Sequence, residues 1–190
     1  LWHTLSLHDA LPISLAICQA YDFSNAPTII DIGGGHGLLL SQILEKTPGI
    51  EGILFDQQST VQTVTVIPEL KDRMRTEAGS FFEGVPKGGD IYLLKHIIHD
   101  YNDDDAVKIL QNCRDAMHPQ SRLLIVDLVL NQSTATFLRT WTDLEMMVLL
   151  NGRERTENEF CDLFNSAGLE LEKIIPTKSD ISIMECTLKK

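Results

Sequence analysis

The chain has 190 residues, 43% hydrophobic and 23% charged, the balance of an ordinary globular domain large enough to bury a core without disulfide or metal support. Disordered, collagenous and low-complexity classes are excluded. Lys plus Arg number 16 against 27 Asp plus Glu, a net charge of −11 with no basic run to offset it, so nucleic acid and anionic membrane surfaces are disfavoured as partners.

The segment 1–14, LWHTLSLHDALPIS, has neither a charged leading region nor an A-x-A cleavage site, so it does not read as a signal peptide. It resembles a translated sequencing adapter, the alternative being an amphipathic helix stopped at Pro12, and the expectation is a non-native segment over 1–14 followed by a single domain over 15–190. The four cysteines, Cys18, Cys113, Cys161 and Cys186, form no CxxC pair, which is reduced, intracellular usage rather than a disulfide frame or a zinc site. The longest apolar run, Met146 to Leu150, is far below the roughly 18 residues that cross a bilayer, and a cytoplasmic location is expected.

From Thr28 onward, strand-like and helix-like blocks alternate. Thr28 to Ile32 is a β-branched run leading into Gly33, and Leu38 to Lys46 is a helix stopped by Pro48-Gly49. Gly52 to Asp56 is a second strand. Asp90 to Ile98 reads as another strand, followed by a helix from Asp103 to Met117 capped by Asn102 or Asp103, with Asp103, Asp104 and Asp105 complementing its dipole. Arg122 to Leu130 is a strand and Phe137 to Leu150 a helix. Thr156 to Ala167 opens with the capping box Thr156-x-x-Glu159 and closes at Gly168. Leu169 to Ile175 and Ile181 to Leu188 end the chain as two strands that read as an antiparallel pair.

This alternation predicts an α/β fold, a mostly parallel sheet with helices on both faces. Ligands bind such sheets at the carboxyl ends of the strands, which here means Gly33 to Gly37, Asp56, His99 and Asp127. In Asp31-Ile32-Gly33-Gly34-Gly35-His36-Gly37, glycines let the backbone approach a ligand and leave amides at a helix N-terminus for an anionic group. Asp56 follows the second strand, where an acid accepts hydrogen bonds from ribose hydroxyls. Dinucleotide enzymes use similar parts, although Leu38 stands where a G-x-G-x-x-G fingerprint ends in glycine. His96 and His99 with Asp100 have the look of metal ligands, but residues three apart in a strand face opposite ways. A shared ion would require the strand to end first, so no metal is assigned. His99 reads as a proton-transfer residue and His96 as a satisfied histidine at a strand end.

These stretches, with Asn151-Gly152-Arg153-Glu154-Arg155-Thr156 and Ser182-Ile183-Met184-Glu185-Cys186, resemble the S-adenosylmethionine-dependent O-methyltransferases of the plant caffeate and flavonoid and bacterial polyketide (acetylserotonin-type) class, from about Leu15 to Lys190. The resemblance implies a Rossmann-like class I methyltransferase fold, a seven-stranded sheet ending in a reversed hairpin. It places Asp31, Gly33 and Gly35 around the methionine part of the cofactor, Asp56 at the ribose, Ser80 and Phe81 at the adenine, and Lys95 beside the cofactor. Ser80 stands where the family normally has Asp. His99 matches the catalytic base, Asp127 and Glu154 the acids that flank it, with Asp127 in place of a more usual Glu. Met146 matches a methionine against the acceptor's ring, or is core.

The implied reaction is methyl transfer from S-adenosylmethionine to a phenolic or enolic hydroxyl of a small molecule. The alternatives are a non-catalytic S-adenosylmethionine-binding regulator and an NAD-dependent oxidoreductase. The family's helical N-terminal domain, which forms a homodimer, is expected to be absent, so the chain reads as a catalytic-domain fragment.

Overall fold

The computed structural model describes residues 12–130 and 152–190, so the expected Phe137 to Leu150 helix and Met146 lie outside the described residues. Helix α1 spans residues 12–20 and runs across the boundary expected after Ser14, whose side chain is buried while Ile13 packs on the core.

Strands β1 (Thr28–Ile32), β2 (Glu51–Asp56), β3 (Met74–Ala78), β4 (Ile91–Lys95), β5 (Arg122–Asp127), β8 (Leu169–Pro176) and β9 (Ser182–Leu188) form one sheet in the order β3-β2-β1-β4-β5-β9-β8. The pairs from β3 to β5 are parallel, whereas β9 runs antiparallel to both β5 and β8, as the alternation and the terminal hairpin predicted. Helices α2 (Leu38–Lys46), α4 (Asp103–Ala116) and α5 (Glu157–Ala167) connect them, with a short α3 (Gln58–Val61) after β2. A two-residue parallel pair, β6 (Val129–Leu130) with β7 (Arg155–Thr156), stands beyond the end of β5.

Both faces of the sheet are covered, which explains why its inner strands read as unbroken apolar runs. Ile30, Tyr92, Leu94, Leu123 and Ile125 pack with Ile109 and Leu110 of α4 and Phe160 and Phe164 of α5. Their alternates Ile29, Leu93, Leu124 and Val126 pack with Ile17 of α1 and Leu40 and Ile43 of α2. The caps behave as the local sequence requires: the Asn102 side chain accepts from the Asp105 amide, Thr156 and Glu159 close the capping box, and Gly168 ends α5 at φ 78. Among the described residues no helix is long and apolar enough to cross a membrane.

Two strand boundaries differ from the sequence reading by more than one residue, and one strand was missed. The strand expected to reach Ile98 ends at Lys95, because His96 adopts φ 55 and leaves the pleat after its amide bonds Val126 O. The strand expected over Arg122 to Leu130 breaks between Asp127 and Val129. Strand β3 was not anticipated; as the sheet edge it is buried only at Met74 and carries no apolar run.

Candidate active site

The carboxyl ends of β1, β2, β4 and β5 gather most of the residues singled out by sequence. After β1 the Gly33 amide donates to Phe55 O at 2.8 Å, tying the turn to the end of β2. Gly35, at φ 59, has nothing within 4 Å of where a Cβ would project, so this part of the loop faces open space. Its amide donates to Asp56 Oδ2 at 2.8 Å, while Asp56 Oδ1 accepts from the Gln57 amide at 2.7 Å. Asp56 thus shapes the loop from the neighbouring strand.

Asp31 is buried beneath this turn, and its Oδ2 has no hydrogen-bond partner among the described residues. Burial pushes its carboxyl up to about 7, against the pull of the Lys95 ammonium and with help from Asp56. Lys95, last in β4, is pulled below the usual lysine range by burial, with Asp31 and Asp127 opposing that shift. The Phe81 ring lies beside Gly33 and makes tilted contact with Phe82 at 5.1 Å and an edge contact with Tyr101 at 5.9 Å. Ser80 Oγ accepts from the Phe82 amide at 3.3 Å, so it holds the turn that carries these rings.

A 3₁₀ turn, Ile98–Asp100, places His99 over the end of β5. Its backbone amide donates to Asp127 Oδ2 at 3.3 Å, and its Nδ1 lies 3.2 Å from Asp127 Oδ1 and 3.4 Å from Glu154 Oε1. Nε2 points the other way, 3.3 Å from Asp100 Oδ1. Asp127, though a methylene shorter than Glu, therefore reaches the ring. Burial favours the neutral imidazole, but Glu154, Asp127 and Asp100 together outweigh it and raise His99 to about 9. Asp127 is fully buried and Glu154 nearly so.

His96 departs from the expected satisfied histidine. Its Nδ1 is buried without a hydrogen bond and lies 3.7 Å from Asp127 Oδ1. Because the strand has ended, the opposite-face argument against a shared site with His99 no longer applies. Met146 lies outside the described residues.

Two residues beyond the sequence expectations hold this arrangement. Arg155 is a fully buried arginine whose guanidinium donates to Ile98 O at 3.0 Å, Tyr101 O at 2.7 Å, Arg153 O at 3.2 Å and Asp103 Oδ1 at 2.8 and 3.1 Å. It fastens the segment bearing His99 to the one bearing Glu154. Gly152 lies so close to His99 O and Asp100 that a Cβ there would overlap them. Both lie in the stretch Asn151-Gly152-Arg153-Glu154-Arg155-Thr156, where the sequence offers no signal that tells the buried Arg155 from the more exposed Arg153. A cleft of about 400 Å³ lined by Tyr21, Asp90, Arg122, Lys173 and Glu185 lies at the amino ends of β4 and β5 and contains none of these groups.

Residues 5–170 match the O-methyltransferase domain family. The phenazine O-methyltransferase of Lysobacter antibioticus is 45% identical, over 91% of this chain and 52% of that protein. The 3-amino-4-hydroxybenzoate 4-O-methyltransferase of Streptomyces cremeus is 37% identical, over 94% of this chain and 50% of its own length. Among solved structures, the mitomycin 7-O-methyltransferase superimposes with a TM-score of 0.88 at 36% identity, covering 94% of this chain and 54% of that one. An O-methyltransferase from neocarzinostatin biosynthesis, solved with S-adenosylmethionine and 2-hydroxy-5-methyl naphthoic acid, gives 0.86 at 30% identity over 98% and 56%. The chain spans about half the length of the curated relatives it matches.

Proposed function

Because the chain belongs to the O-methyltransferase domain family, we propose that it moves a methyl group from S-adenosylmethionine to a phenolic or enolic hydroxyl of a small molecule, with His99 as general base. The observation that carries this reading is the convergence of a largely buried imidazole, its side chain 12% exposed, with buried Asp127 and Glu154 at the same sheet end as the glycine turn.

The residues fit the cofactor. Gly35 opens onto free space, and the orphaned Asp31 Oδ2 lies beneath the turn, where a cationic methionine moiety would lower its proton affinity. Asp31, Gly33 and Gly35 would hold that moiety, Asp56 the ribose, Ser80 and Phe81 the adenine, with Lys95 alongside. When bound, the cofactor supplies an electrophilic methyl on a sulfonium.

The chain's own task is to deliver an oxygen nucleophile in line with that carbon. A phenol of pKa about 10 and a free imidazole of about 6.5 differ by roughly 3.5 units, or about 5 kcal/mol for complete proton transfer. With His99 raised to about 9, the gap shrinks to about 1 unit, roughly 1.4 kcal/mol. Asp127 and Glu154 hold Nδ1 and favour the imidazolium, leaving Nε2 to accept the proton. An aliphatic hydroxyl would leave a far larger gap. The names of the relatives support an aromatic acceptor.

Turnover measured with labelled S-adenosylmethionine across a panel of phenols tests the reading. His99→Ala should lower turnover by at least about 100-fold while S-adenosylhomocysteine still binds. Equal loss of both would assign His99 a structural role instead, and a thermal shift with NAD alone would overturn the methyltransferase reading.

A further inference from the structure

Beside the proposed base lies a histidine that methyl transfer does not use. His96 is the one non-glycine residue with positive φ among the described residues, a strained conformation that a chain retains where surrounding structure or function demands it. Its ring lies 5.3 Å from that of His99. His96 Nδ1 is 3.7 Å, and His99 Nδ1 3.2 Å, from the same oxygen of fully buried Asp127. All three atoms are buried and in ion-pair range, but none meets the geometry of a hydrogen bond among the described residues, and the three residues offer donor atoms within 4.8 Å of one another.

A contact of 3.7 Å is too long for a hydrogen bond. It suits ligands around an ion: with metal–ligand bonds of about 2.0–2.1 Å, a tetrahedral ion holds its ligand atoms roughly 3.3–3.4 Å apart. The two measured separations bracket that value, and Glu154 Oε1 stands 3.4 Å from His99 Nδ1, at the spacing of a fourth ligand. Two imidazole nitrogens and one or two carboxylate oxygens form a donor set for a borderline divalent ion rather than for Mg²⁺ or Ca²⁺.

We propose that His96, His99 and Asp127 bind a divalent transition ion of the zinc type. The ion would bind the Nδ1 lone pair of neutral His99, which leaves the ring proton on Nε2, so that nitrogen would have no lone pair to accept a proton from the acceptor hydroxyl. Occupancy and proton transfer would then exclude each other. The binding site stands independently of the proposed reaction; only this inhibitory consequence rests on it.

Calorimetric titration of the chain with Zn²⁺ should give one tight site, and Co²⁺ should show the visible absorption of a low-coordinate ion. His96→Asn suits left-handed backbone and should weaken Zn²⁺ binding at least tenfold and abolish the Co²⁺ band, while S-adenosylhomocysteine still binds. His96→Gly, which relieves the backbone strain, should behave alike. Unchanged affinity or an unchanged Co²⁺ band in both variants would place the ion elsewhere and overturn the site, as would absence of binding by the wild type. Undiminished methylation at saturating Zn²⁺ would overturn the inhibition alone.

Discussion

His99, largely buried, and Asp31, fully buried, are the groups whose protonation bears most directly on the site, and their surroundings displace them in the same direction for different reasons. His99 is raised because three carboxylates outweigh its burial, Asp31 because burial outweighs Lys95. A general base must be neutral to accept a proton, so turnover should climb with pH and level off near 9. A profile already flat from pH 7 would argue against His99 as the base. For Asp31 the sign follows from proton counts: between about 4 and 7 the folded state holds a proton that the unfolded state has released, so stability falls as pH rises through that window. Urea unfolding at pH 5 and pH 8 should therefore show a smaller difference for Asp31→Asn than for the wild type. Identical differences would mean that Asp31 does not titrate there.

At the scale of elements, the site depends on where strands stop. Strand β4 ends one residue before His96, and the following 3₁₀ turn carries His99 to the end of β5. Arg155 then fixes that turn through the carbonyls of Ile98 and Tyr101 and the carboxylate of Asp103. Its planar fork is matched to several acceptors at once, which a lysine cannot reproduce. Arg155→Met should cost about 2–4 kcal/mol of stability by leaving these acceptors unmet. If it positions His99, the turnover lost should exceed the cofactor affinity lost, and Arg155→Lys should not restore it. Rescue by lysine would reduce the role to charge alone. The caps of α4 and α5, by contrast, were legible in the sequence, because Asn102, Thr156 and Glu159 act on amides within three residues of themselves.

For the whole molecule, one sheet carries both cores, so neither face can melt and leave the other folded. Phe160→Ala on one face and Ile43→Ala on the other should each remove about 2–5 kcal/mol and lower a single shared unfolding midpoint. Two separated transitions would contradict that coupling. The acidic charge of −11 fits a domain whose proposed ligands are a cationic cofactor and a small acceptor.

What the sequence by itself determined was everything with a short period or a local signal: the alternating blocks, the glycine turn after β1, the acid after β2, the helix caps and the reversed final hairpin. These depend on neighbours within a few residues, so composition and spacing encode them directly. Strand β3 escaped because an edge strand needs no apolar run. Only the tertiary structure decided that Asp127 reaches the ring of His99 across 28 residues, that Arg155 reaches Ile98 across 57, and that His96 turns toward the same carboxylate. Such contacts follow from strand order and from where each strand breaks, set by packing on both faces of the sheet, and no local periodicity carries that information.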